Sequence, residues 1–289
     1  MADLIAAALP RPVGFVLGGG GSLGASQVGM LRALAEQHIV PDLVVGSSVG
    51  ALNGAVTALD PNWAANRLAR AWAHMTRDVL FPGGRLAQAQ TLRRTRTHLF
   101  PNSGLTAVIA RFLGAGTSFS DLVLPFGAVT TDIATAQPYL ITTGPLLPAL
   151  LASAAIPAIY PPVDYDGRQL YDGGVTANVP MRQALAMGAR SLVVLDAGFP
   201  GHLPPPPHTA ADAIFYTVFV TMRTQAILEA PIAAAEAPVL YLPGPSLRRI
   251  SPLDFNHTDA LIKEAYSAAR VFLEQVKIDG PGLYGSPAG

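Results

Sequence analysis

Short apolar runs alternate with longer stretches of helical periodicity along most of the chain. The runs, rich in β-favouring residues, predict buried strands at Val13–Leu17, Leu43–Val45, Phe126–Thr130, Tyr139–Thr142, Leu192–Leu195 and Val239–Leu242. Apolar residues three or four positions apart predict helices at Ala25–Gln37, Val49–Leu59, Trp63–Met75, Leu105–Leu113, Leu146–Ala154, Met181–Met187, Ala211–Leu228 and Asp259–Val276. Thr258 is the expected N-cap of the last helix. This alternation predicts an α/β fold with a mainly parallel sheet.

The length of 289 residues suits one large α/β domain. We expect a single domain over residues 1–289, with a core at about 12–200 and a C-terminal completion at 208–276. The proline-rich stretch Phe199–Pro207 is interpreted as a loop rather than a domain boundary. The 19 basic and 19 acidic side chains cancel, so no general attraction to nucleic acid or to anionic lipid is expected.

Several classes of site and location are disfavoured by composition. The chain has no cysteine, which excludes disulfides and thiolate chemistry. None of the six histidines has metal-ligand spacing, so no metal site is expected. The apolar segment Leu146–Val163 contains four prolines and predicts no transmembrane helix. The N-terminus lacks a convincing secretory signal, which favours a cytoplasmic location.

A glycine-flanked serine is the first candidate for chemistry. The segment Gly46-Ser47-Ser48-Val49-Gly50 follows the predicted strand at Leu43–Val45 and opens the predicted helix at Val49. Small residues at this spacing let a strand turn sharply into a helix while exposing the serine hydroxyl at the tip. The pattern by itself fits either a nucleophile or an ordinary tight turn.

A second glycine-rich segment, Gly18–Gly24, lies between the first predicted strand and its helix. Its backbone N–H groups suit an oxyanion, which forms when a hydroxyl attacks an ester carbonyl. Gly19, Gly21 and Gly24 also satisfy the dinucleotide-binding pattern, with Asp42 as the ribose-binding acid. A non-catalytic nucleotide-binding domain is therefore the alternative hypothesis.

A third element, Asp172-Gly173-Gly174, follows a hairpin-like turn predicted at Asp166-Gly167. Asp-Gly-Gly is common in turns, and the aspartate can also serve as a base. His257 follows Ser48 and Asp172 along the chain, so a serine–acid–histidine triad is a further reading.

Together, Gly19–Gly24, Gly46–Gly50 and Asp172–Gly174 resemble the patatin-like phospholipase family. Supporting segments are Val129–Asp132, Ala152–Pro157 with Pro161–Val163, and Asn178–Pro180. The resemblance implies a three-layer α/β/α fold, a Ser48–Asp172 catalytic dyad, and an oxyanion hole formed by Gly19, Gly20 and Gly21. Gly24, Gly46, Gly50, Gly173 and Gly174 support these motifs.

The resemblance further implies hydrolysis of fatty-acyl esters of phospholipids, lysophospholipids or related lipids, with no cofactor. The substrate is expected at a membrane or micelle interface. Many relatives carry a basic residue where this chain has Leu23. The loop therefore lacks the positive charge that those relatives place there. Two further stretches fit either a structural role or contact with lipid. One is the basic stretch with Arg85, Arg93, Arg94, Arg96 and His98. The other is the aromatic-rich run with Phe215, Tyr216, Val218, Phe219, Val220 and Met222.

Overall fold

A computed structural model describes residues 2–198, 206–208, 210–245 and 250–287. Within these ranges the chain forms a nine-stranded sheet flanked by helices. The strands are β1 (Val13–Leu17), β2 (Leu43–Ser47), β3 (Phe126–Asp132), β4 (Gln137–Ile141), β5 (Val163–Tyr165), β6 (Arg168–Asp172), β7 (Ser191–Leu195), β8 (Pro238–Tyr241) and β9 (Gly282–Tyr284).

The sheet is mixed but mainly parallel, as predicted. Its order is β5-β6-β3-β2-β1-β7-β8-β9, and β4 also pairs with β3. The five pairings from β3 through β2, β1, β7 and β8 to β9 are parallel. The pairings β3–β4, β3–β6 and β5–β6 are antiparallel. The carboxyl ends of β1, β2 and β7 therefore meet at one edge of the sheet.

The helices are α1 (Ala2–Ala8), α2 (Ser26–Glu36), α3 (Val49–Leu59), α4 (Ala64–Trp72), α5 (Arg77–Leu80), α6 (Arg85–Thr95), α7 (Ser103–Leu113), α8 (Leu146–Ser153), α9 (Gly174–Ala177), α10 (Met181–Ala186), α11 (Ala210–Glu236) and α12 (Thr258–Gln275). A 3₁₀ turn, Gly21–Ala25, precedes α2. All eight predicted helices form: α3 has the predicted bounds, and the other seven have shifted ends. The most extended, α11, continues to Glu236 and includes Pro231.

Both faces of the sheet are buried, which produces three layers. In β1, Phe15 and Leu17 belong to one apolar cluster, whereas Val16 belongs to another. This alternation follows from the opposite directions of successive side chains in a strand. The first cluster includes side chains of α2, α3 and α12, and the second includes those of α10 and α11. The predicted α/β/α architecture is confirmed.

Several details differ from expectation. The strand predicted at Tyr139–Thr142 spans Gln137–Ile141, and β5, β6 and β9 were not predicted as strands. Asp166 and Gly167 both have positive φ, as a type I′ hairpin turn requires. Thr258 is the first residue of α12 rather than its N-cap, and its hydroxyl donates to Phe255 O. Residues 199–205 of the predicted proline-rich loop lie outside the described residues.

Within the described ranges, no helix combines the length and the apolar character needed to cross a bilayer.

Candidate active site

Ser48 lies at a sharp turn between β2 and α3. Its φ of 55° and ψ of −127° place a non-glycine residue in a region that costs on the order of 1–3 kcal/mol. The side chain is held at the N-cap position of α3, where the helix dipole favours negative charge. This is the conformation expected for an exposed nucleophile at a strand-to-helix turn.

The two flanking glycines are required by close backbone approach. A Cβ at Gly46 would lie 2.3 Å from Gly50 O, and one at Gly50 would lie 2.1 Å from Leu17 O. Neither oxygen belongs to a side chain that can rotate away. The turn therefore needs glycine at both positions, which is the physical origin of the pattern in the sequence.

Asp172 ends β6, next to β3, and reaches Ser48 across the edge of the sheet. Its backbone N–H donates to Ala155 O, and its carbonyl accepts from the Thr131 hydroxyl. A Cβ at Gly173 would lie 2.2 Å from Val129 O. The aspartate is fixed in place because the chain after it must pack directly against β3.

The two side chains form a buried hydrogen-bonded pair. Ser48 Oγ donates to Asp172 Oδ2 at 2.6 Å, and Gly174 N donates to Asp172 Oδ1 at 2.7 Å. Burial raises the pKa of Asp172 to about 6, although the hydrogen bonds from Ser48 and Gly174 favour the ionised form. A carboxylate with a raised pKa is a stronger base than an exposed one.

The glycine-rich loop passes beside this pair. A Cβ at Gly19 would lie 3.0 Å from Ser48 Cβ, and Gly21 has a φ of 59°. The N–H of Gly19 donates to Asn178 O at 3.1 Å, so it is not available to an oxyanion, contrary to expectation. Within the described residues, the N–H groups of Gly20 and Gly21 have no acceptor.

Leu23, which follows in the same loop, is fully buried in the core. It does not line the cavity at Ser48. Leu23 therefore packs in the core and not against the cavity.

Ser153 and Asn178 also hold the site and were not predicted. Ser153 Oγ accepts from the N–H of Ser48 at 3.0 Å and donates to Val129 O at 2.6 Å. Asn178 binds the backbone of Gly19 from both its carbonyl and its side-chain amide. Both lie within motif segments of the sequence, but their contacts join distant parts of the chain.

A buried polar network fixes both ends of the glycine-rich loop. Gln27 Nε2 donates to Gly18 O and Leu195 O, at 2.8 and 2.9 Å. Asn53 Nδ2 donates to Gly24 O and to Gln27 Oε1, and its Oδ1 accepts from Trp72 Nε1 at 3.1 Å. Such a network, with its polar atoms satisfied, fixes the backbone of the loop.

A second buried carboxylate, Asp196, follows β7 and was also missed. It accepts from Tyr241 Oη at 2.5 Å and from Gly198 N at 2.8 Å. Burial raises its pKa. A Cβ at Gly18 would lie 2.8 Å from its Oδ1, so Asp196 abuts the start of the glycine-rich loop.

An apolar cavity opens on Ser48 and Gly21. It is lined by parts of α3, α4, α5 and α7 and by loop residues, including the side chains Trp72, Met75, Phe81, Val108, Tyr160 and Phe255. Tyr160 Oη donates to Leu80 O at 2.7 Å, which joins two of these segments. The surface next to the hydroxyl is almost entirely apolar.

The alternative assignments do not fit this geometry. Asp42 precedes β2, at the edge of the sheet opposite the glycine-rich loop, and pairs with Arg11 and the N–H of Val13. It cannot bind the ribose of a nucleotide held by that loop.

The triad assignment does not fit either, because His257 Nε2 lies 3.3 Å from Asp254 Oδ2, while the partner of Ser48 is Asp172. In the described ranges no group of three or more His, Asp or Glu residues is arranged to hold a metal ion.

The aromatic-rich run on α11 lies elsewhere. The side chain of Phe215 is outside the described part of the chain, and Phe219 packs partly against the core. Met222 approaches Gly174, since a Cβ there would lie 2.5 Å from its methyl group. Among the described side chains of this run, none lines the cavity at Ser48.

Comparisons with known proteins bear on this arrangement. A sequence model described as patatin-like phospholipase matches residues 15–185, which include Ser48, Asp172 and the glycine-rich loop. The chain belongs to the patatin-like phospholipase family. Patatin-like phospholipase domain-containing protein 7 of Mus musculus is 34% identical over 192 residues, covering 64% of this chain and 14% of that protein.

Other patatin-like relatives carry the names of lipid or ester hydrolases. Lysophospholipase NTE1 of Mycosarcoma maydis is 32% identical over 195 residues, covering 64% of this chain and 10% of that protein. The chain thus spans only a small part of the length of these relatives. VipD of Legionella pneumophila has a similar fold, with a TM-score of 0.51 at 13% identity, over 92% of this chain and 67% of that one.

Proposed function

We propose that this patatin-like chain is a serine hydrolase that cleaves fatty-acyl esters of phospholipids, lysophospholipids or related lipids. The observation that carries the proposal is the buried 2.6 Å hydrogen bond between Ser48 Oγ and Asp172 Oδ2 at the mouth of an apolar cavity. A nucleophile and a base within hydrogen-bonding distance are the first requirement of covalent ester hydrolysis. Family membership supports the same chemistry.

In the proposed acylation step, Ser48 Oγ attacks the acyl carbonyl as its proton passes to Asp172. The tetrahedral intermediate collapses, and the alcohol leaves with the proton held by Asp172. Water then attacks the acyl-enzyme, its proton passes to Asp172 and then to Ser48 Oγ, and the fatty acid is released. Asp172 thus serves as base and acid in turn.

The oxyanion is assigned to the N–H groups of Gly20 and Gly21, with Val49 as a further donor. Those of Gly20 and Gly21 lack an acceptor among the described residues, and Val49 follows the nucleophile at the start of α3. The first N–H groups of a helix have no acceptor within it. One well-placed donor lowers such a barrier by about 2.7–4 kcal/mol.

The proposal is tested by fatty-acid release from a lysophospholipid and from a soluble p-nitrophenyl ester. We expect Ser48→Ala and Asp172→Asn to lose nearly all activity, by a factor on the order of 10³ or more. Ser47→Ala is the matched control: this neighbouring hydroxyl is buried and has no partner in the described structure, so the variant should stay active. Full activity in either dyad variant, with folding intact, would sink the proposal.

A further inference from the structure

Helix α6 projects beside the cavity wall and buries none of its described side chains. Leu86, on its first turn, is 83% exposed, the highest value for a large apolar residue in the described structure. Leu92 and, on neighbouring α5, Val79 are also exposed, by 43% and 41%. These three side chains leave apolar surface exposed on α5 and α6, where a partner can contact it.

The segment around α6 is strongly basic in a chain without net charge. Residues 77–98 contain five arginines and one aspartate, a formal charge of +4. Arg93, Arg94 and Arg96 are exposed. In the part of the chain that the structure describes, none of the three forms an ion pair with an acidic side chain. Their charge is available to an external anion.

One row of α6 carries both an apolar and a basic side chain. Leu86, Ala89 and Arg93 are spaced three and four residues apart, which places them along one side of the helix. At the surface of an anionic bilayer, leucine can enter the acyl boundary while the long arginine side chain reaches the phosphates.

Both ends of the α6 excursion are attached to the wall of the cavity. Before it, Phe81 lines the cavity and stacks on Tyr160, with ring centroids 5.6 Å apart. After it, the N–H groups of Leu99 and Phe100 donate to Ala158 O and Ile159 O, both at 3.0 Å. A surface that bound α6 would therefore lie close to the cavity that opens on Ser48.

We propose that α5 and α6, residues 77–98, form a docking surface for an anionic lipid bilayer. The positive charge identifies the partner: phosphate headgroups attract arginine, and the hydrocarbon boundary accommodates Leu86. This proposal rests on the proposed lipid hydrolysis, because a bilayer bound at this surface brings the lipid substrate to the cavity. Binding to vesicles is measured independently of hydrolysis.

The test is sedimentation of the full chain with phosphatidylcholine vesicles that either contain or lack phosphatidylserine. We expect binding that requires phosphatidylserine and weakens with salt. The Arg93→Gln, Arg94→Gln, Arg96→Gln triple variant should lose affinity on the order of a hundredfold. A control that removes equal charge outside this surface, Arg32→Gln, Arg190→Gln, Lys277→Gln, should lose far less. Thermal melting checks the folding of each variant.

Leu86→Trp supplies a second readout. Its added tryptophan fluorescence should shift to the blue on anionic vesicles, because the side chain enters the acyl boundary. Ser48→Ala should bind as the original chain does, so the docking proposal survives failure of the hydrolase proposal. Equal loss in both triple variants, no spectral shift, or tighter binding to duplex DNA than to vesicles would overturn the docking proposal.

Discussion

At the scale of single residues, the site depends on a carboxylate kept away from water. Asp172 is 1% exposed and is surrounded by the chain that follows it and by Ser48. Its pKa of about 6 brings its proton affinity near the working range of a general base. The burial that makes Asp172 a stronger base also lowers the stability of the folded protein when Asp172 is ionised.

The raised pKa predicts the pH dependence of hydrolysis. Asp172 must be deprotonated to accept the proton of Ser48, so kcat/KM for a soluble ester should fall tenfold per pH unit below about pH 6. The measurement is a pH–rate profile with an ester that has no titrating group. A rate that does not change around pH 6 contradicts this role.

The same group predicts a stability change. The folded protein holds the Asp172 proton more tightly than the unfolded chain does, so the free energy of unfolding falls as pH rises from 3.8 through about 6. The difference corresponds to about 3 kcal/mol. Asp172→Asn should therefore be more stable than the original chain above this range, and the advantage should disappear below it.

Denaturant titrations across pH measure this effect. The exposed Asp164 on β5 offers a matched control, since Asp164→Asn makes the same substitution at a carboxylate in contact with water. If Asp172→Asn is less stable than the original chain at high pH, the prediction is wrong.

The role of a residue can be predicted from the sequence where its motif has a local structural cause. The turn at Ser48 could be anticipated because Gly46 and Gly50 are the residues that its backbone requires. The role of Asn53 was not predictable, because it depends on Gly24, Gln27 and Trp72 meeting one side chain. Gly19 was expected to be a donor from the family resemblance. The sequence does not show that Asn178 O accepts its N–H.

At the scale of elements, the junction of β2 and α3 is the most constrained. Gly50→Ala would place a methyl group 2.1 Å from Leu17 O and 2.6 Å from Gly18 O, so β1 and α3 must separate. We expect a loss on the order of 3 kcal/mol in the free energy of unfolding, together with loss of activity. Chemical denaturation and ester hydrolysis measure the two effects.

Gly54→Ala on the same helix is the control. Its new methyl group would meet only side chains, at 3.1 and 3.2 Å, and alanine favours the helix. If the two variants lose equal stability, the constraint does not lie at the junction.

Strong periodicity made helices such as α3 and α12 predictable, whereas α5 and α6 were missed. The apolar residues of α6 are few and face solvent, so the helical pattern that burial creates is absent. Strands β5 and β6 are short, and in β6 two exposed residues are followed by Leu170, its one fully buried apolar side chain. Only the turn between them carried a clear signal.

At the scale of the whole molecule, residues beyond the family match complete the site. Ser22 in the glycine-rich loop donates from its N–H to Pro252 O at 2.8 Å and from its hydroxyl to Ser251 O. Helix α12 packs against α2 so closely that a Cβ at Gly29 would lie 2.1 Å from Ile262 O. The helix pattern of α12 was visible in the sequence, but its position behind the loop depends on contacts over more than 200 residues.

Covalent labelling with an alkyl fluorophosphonate, followed by mass mapping of the modified peptide, tests Ser48 as the nucleophile most directly. We expect one adduct on Ser48, in the original chain and in Ser47→Ala, and none in Ser48→Ala. Labelling of Asp172→Asn should be slowed by at least about a hundredfold, because the base is lost. An adduct on another residue, or none at all on the folded protein, would contradict the assignment of Ser48 as the nucleophile.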